Sequence, residues 1–80
     1  MESSMQDMSM EQKVEQIVTY HAPDEDGIKR ISNIRESTKF LILTILRNCP
    51  PCADRSAAIR KVREGMMTAN ASIVVPQVQL

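Results

Sequence analysis

Cys49-Pro50-Pro51-Cys52 is the first run whose residue types suggest chemistry, since two thiols at this spacing occur in redox dithiols and supply half of a zinc site. A thioredoxin-like dithiol needs a strand before the motif in a βαβ setting, whereas the residues ahead of Cys49 have helical periodicity. A zinc site needs two further ligands, and His21 is the sole histidine. The run therefore reads as a turn in which Pro50 and Pro51 stop one helix and Cys52 begins the next. Gly27 and Gly65 are the only glycines, so there is no glycine-rich phosphate loop, and no serine stands in a nucleophile elbow. General acid and base catalysis wants titratable groups in a dry cleft, which a short helical hairpin hardly provides. The chain is expected to bind rather than to catalyse, with no cofactor and no metal.

The residues suited to binding are few. Tyr20 and Phe40 are the only aromatic side chains, which excludes the multi-aromatic stacking surface of most single-strand nucleic-acid binders. Tyr20 precedes a basic stretch, where its ring is placed either to stack on a base or to pack with its hydroxyl satisfied. Arg35 and Lys39 stand one helical turn apart, beside an apolar stripe, and can share a phosphate, with Ser37 and Ser32 as nearby hydroxyl donors. The alternative is that both bases extend into solvent or pair with Glu36 and Glu64.

The elements that must position these residues are helical. Residues 1–9 are polar, methionine-rich and aperiodic, and read as a disordered leader. Met10, Val14, Ile17 and Val18 follow the spacing of a short amphipathic helix over residues 10–19, which Tyr20-His21-Ala22-Pro23 breaks. Asp24, Glu25 and Asp26 supply an N-cap and favourable charge for a long helix running to about Arg47. Its stripe is Ile28, Ile31, Ile34, Leu41, Ile42, Ile45 and Leu46, while Phe40 and Leu43 fall on another face and suggest contact with a second copy or the N-terminal helix. A second long helix over residues 53–74 carries Ala58, Ile59, Val62, Met66, Ala69 and Ile73, with Gly65 beside them as one of three small residues that permit close approach. The short turn forces an antiparallel return. The expected fold is all-α, a short N-terminal helix followed by an antiparallel hairpin of two long helices, with one domain over residues 10–75 and a tail over residues 76–80.

A chain of 80 residues buries too little surface to be comfortably stable alone, and assembly into a homo-oligomer is the available remedy. Its formal net charge is zero, yet the two halves oppose each other. Up to Asp26 the only base is Lys13, whereas from Gly27 onward the only acids are Glu36, Asp54 and Glu64. A basic hairpin behind an acidic leader is compatible with an anionic ligand, and equally with a solvated helix surface. The longest apolar run, Phe40 to Leu43, is far short of a membrane span, and the N-terminus lacks the pattern of a secretory signal, so the expected location is cytoplasmic.

Three blocks resemble a known family. Thr19-Tyr20-His21-Ala22-Pro23 is similar to a T-Y-H-x-P entry, and Ile34-Arg35 with Lys39 to an I-R-x-x-x-[KR] segment. Cys49-Pro50, Arg55-Ser56, Lys61, Glu64, Met67 and Ala69-Asn70-Ala71 resemble a C-P…[KR]-S…K-x-x-E…M-x-A-N-A signature. These are the marks of small phage hairpin proteins that sequester cyclic oligonucleotide signals of bacterial CBASS immunity, related to the hairpin of a Thoeris anti-defence protein. The chain departs from the pattern at Cys52, where the family usually has serine, and at Thr68, where it usually has tryptophan.

The resemblance implies a homo-oligomer, a hexamer, in the cytoplasm of the infected bacterial host. It would bind cyclic dinucleotides such as cyclic GMP-AMP without cleaving them, with a separate symmetric pocket for cyclic trinucleotides in some members. Carried over by position, Tyr20 stacks on a base, Arg35 and Lys39 hold phosphates and Ser37 adds a hydrogen bond. The competing reading is a helical protein-interaction module that masks a host protein with the Phe40 and Leu43 face. A duplex-DNA binder is disfavoured by the zero net charge and the lack of a recognition helix.

Overall fold

The computed structural model describes residues 8–76, 78 and 80, so most of the expected leader and part of the tail lie outside the described residues. Three helices follow one another: α1 (Met10–Val18), α2 (Glu25–Asn48) and α3 (Ala53–Val74), and no strand occurs among the described residues. Local chemistry sets their ends. Ser9 closes a capping box on α1, its hydroxyl accepting from the Gln12 amide at 3.2 Å while its own amide donates to Gln12 Oε1 at 2.9 Å. Asp24 caps α2 by accepting from the Gly27 amide at 2.7 Å. Cys49 and Val75, which terminate α2 and α3, each precede a proline and adopt extended backbone, as the proline ring requires. Arg55 reaches back across the turn and donates to the carbonyls of Cys49 at 3.3 Å and Leu46 at 3.5 Å, so this base serves the C-terminus of α2.

The two long helices pack on each other, whereas α1 packs on neither. The expected antiparallel hairpin is therefore present, but its second apolar face is not covered by the N-terminal helix. Along α3 the expected stripe of Ala58, Ile59, Val62, Met66, Ala69 and Ile73 is half-buried throughout. Along α2, Ile31, Ile34, Ile42 and Ile45 are half-buried, while Ile28, Leu41 and Leu46 of the expected stripe are exposed, and Leu43 joins the half-buried set. One partner helix covers only a narrow strip of another, so the flanks of a wide stripe remain in water. Phe40 is 70% exposed. No apolar side chain among the described residues is fully buried, and the radius of gyration is 17.1 Å, against about 12 Å for a compact chain of this length.

Close helix approach occurs at Gly27 rather than at Gly65. Gly27 is the one fully buried residue described, and a Cβ built there would meet Asp24 Oδ1 and Pro23 Cβ at 3.2 Å and Ile73 Cγ2 at 3.4 Å. Gly65 is exposed, with nothing within 4 Å of such a Cβ. Gly65→Ala should therefore raise stability by about 1 kcal/mol through helix propensity alone. Gly27→Val should lower it by about 1–3 kcal/mol through overpacking against the proline ring and Ile73. Thermal melts followed by circular dichroism check both; a destabilised Gly65→Ala would mean that another copy packs against that position.

Candidate functional site

The linker between α1 and α2 delivers the aromatic ring. Pro23 forces the residue before it out of helical backbone, and His21 Nε2–H donates to the Gln16 carbonyl at 2.7 Å, folding the linker back on the end of α1. Tyr20, next to this anchor, is left 84% exposed. It borders a groove of about 780 Å³ between α2 and α3. Ile28 and Met67, both exposed, line the same groove, so apolar surface accompanies the ring.

The polar residues of that groove are of mixed kind. Arg35 and Glu36 come from α2, and neither has a hydrogen-bond or ion-pair partner among the described residues. Asn70 comes from α3, and its Oδ1 is shielded from solvent without a hydrogen-bond partner. An unpaired buried acceptor costs about 1–3 kcal/mol, so this position favours a partner that supplies a donor. Ser32 adds a hydroxyl. Together these groups offer a planar ring for stacking, a fork for phosphate and acceptors for a base edge.

The four residues singled out from the sequence are distributed over three grooves. Tyr20 lies in the large one with Arg35. Arg35 also borders a second groove of about 310 Å³, which contains Lys39, Thr38, Ile42, Arg63 and Met66. Ser37 belongs to a third, of about 330 Å³, with Asn33, Ile34, Thr38 and Leu41. Residues two apart on a helix are turned by about 200°, so Ser37 and Arg35 face opposite ways. Of the two arms of the alternative, Arg35 and Lys39 do not pair with Glu36 or Glu64 but are exposed to solvent; the ion pair among the described residues joins Arg30 to Asp26 at 2.8 Å.

Glu36, Asn70 and Arg63 were given no binding role by the sequence reading. The signal for Asn70 lay in the A-N-A block, and that for Arg63 in the antiparallel register, which sets the middle of α3 beside the middle of α2.

The described residues form an all-helical hairpin with grooves along its two long helices. The model of the family described as Acb2/Tad1, hairpin domain, matches residues 10–74, and the chain belongs to that family. No curated protein and no solved structure matches it. Membership suggests an anti-defence role exercised by binding cyclic nucleotide signals, and the family is not a known family of enzymes. No helix among the described residues is long and apolar enough to cross a membrane.

Proposed function

We propose that this protein sequesters cyclic dinucleotides such as cyclic GMP-AMP without cleaving them, in the cytoplasm of an infected bacterium, and so deprives CBASS effectors of their signal. The observation that carries the reading is the groove in which Tyr20 and an unpaired Arg35 stand together, in a hairpin of the matched family. A purine ring stacks on tyrosine, phosphodiester oxygens accept from Arg35 and Lys39, and the base edge meets Asn70 and Glu36.

A cyclic dinucleotide has two bases, two phosphates and near two-fold symmetry. Two copies related by a two-fold axis meet it with two sets of every contact. The lack of a buried core among the described residues and the exposure of Phe40 support assembly, which we place at a hexamer. Ser37, on the far side of α2 from Arg35, then reaches ligand only from a neighbouring copy, where it adds a hydrogen bond. A cyclic trinucleotide occupies a separate symmetric pocket of the same assembly.

Calorimetric titration with synthetic cyclic dinucleotides tests the reading. Saturable binding is expected, and heating the complex should release the ligand intact, as read by mass spectrometry. Absence of heat with every cyclic dinucleotide, or recovery of linear products, would refute it; co-purification of a host polypeptide with no nucleotide would favour the protein-masking alternative.

A further inference from the structure

We infer that Arg63 is a ligand-binding residue and that, with Arg35 and Lys39, it forms a phosphate site bridging both helices of the hairpin. The inference deepens the proposed function and rests on it for the identity of the ligand.

Arg35 and Lys39 reach the smaller groove from α2 and Arg63 from α3, and no carboxylate lines it. None of the three cations has a hydrogen-bond or ion-pair partner among the described residues. The three border one groove together with the apolar side chains of Ile42 and Met66, and like charges gathered on one surface favour a bound anion. Thr38 supplies no donor, because its hydroxyl donates to the Ile34 carbonyl at 2.7 Å. Three unneutralised cations around a concave surface of about 310 Å³ attract a group with several negative oxygens at one centre, which is a phosphate.

The placement fits a nucleotide in particular. Arg35 is the residue common to this groove and to the one holding Tyr20. A base stacked on Tyr20 therefore has its phosphate led through Arg35 towards Lys39 and Arg63. Arg63 also makes the site depend on hairpin register, because its contribution comes from the opposite helix.

The test compares cyclic GMP-AMP affinity of the native protein with that of Arg63→Gln, Arg63→Lys and Arg60→Gln. Arg60 is exposed and borders none of the three grooves, so its replacement controls for net charge alone. Arg63→Gln should weaken binding by about ten- to a hundredfold, as for a lost charge-assisted contact. Arg63→Lys should recover part of the loss and Arg60→Gln should have little effect, with unchanged circular dichroism throughout. Equal affinity of the native protein and Arg63→Gln would overturn the inference.

A second arm uses inorganic pyrophosphate on the native protein, read by nuclear magnetic resonance at the arginine Nε–H groups. Saturable shifts at Arg63 and Arg35, abolished by Arg63→Gln, support the anion site even if no cyclic dinucleotide binds and the proposed function fails. If neither probe binds saturably, both conclusions fall.

Discussion

Arg35→Ala is expected to reduce affinity for a cyclic dinucleotide by at least a hundredfold while leaving helix content unchanged. Arg35 borders both the Tyr20 groove and the basic groove, so its loss strips a phosphate contact from each. Charge-assisted hydrogen bonds contribute about 1.5–3 kcal/mol apiece, and a ligand spanning two copies loses the contact twice. The side chain is exposed and has no ion-pair partner among the described residues, so the folded chain does not depend on it. Tyr20→Ala makes a sharp comparison. Stacking is worth about 1–3 kcal/mol per base, and over two bases its loss should cost roughly 30-fold at the least. Calorimetry on both variants checks the pair, with circular dichroism as the control; unchanged affinity in both would reject the site.

Phe40→Asp should break the assembly. In a lone chain this residue is 70% exposed, and replacing such a side chain ordinarily changes stability by no more than about 0.5 kcal/mol. If another copy covers Phe40, the substitution buries an unpaired carboxylate and removes an aromatic anchor, costing about 2 kcal/mol or more at each interface. Light scattering should then report a smaller particle at micromolar concentration, and the melting temperature should fall because the thin hairpin loses its remaining cover. A variant with native mass and an unshifted melt would show that Phe40 faces solvent in the working protein.

Much of the scaffold was legible in the sequence because its signals are local. Proline excludes helix at the preceding residue, so the ends at Cys49 and the break before Pro23 followed from Pro50 and Pro23 alone. Asp24 was readable as a cap from its place after Pro23. What escaped was long-range. Periodicity shows which residues share a face, not how wide a strip the partner covers, so Ile28, Leu41 and Leu46 seemed equivalent to Ile31 and Ile45.

The two glycines carry the same lesson. Gly65 stood with Ala58 and Ala69 among the small residues expected to permit close approach, yet a Cβ there would meet nothing within 4 Å, whereas one at Gly27 would meet Pro23 and, from α3, Ile73. For the proposed site, Tyr20 and Arg35 were named through the family resemblance, and the fold sets them on one groove. Arg63 and Asn70 join them only through the antiparallel register, and Ser37 is separated from them by the turn of the helix itself.

In the proposed function, copies of the hairpin complete the ligand site together. Native mass spectrometry with cyclic GMP-AMP measures this directly, since it counts chains and ligands in the same ion. The expected result is an assembly with one cyclic dinucleotide for every two chains and no ligand on free monomers. Monomers that carry one ligand each, with the affinity measured in bulk solution, would contradict it.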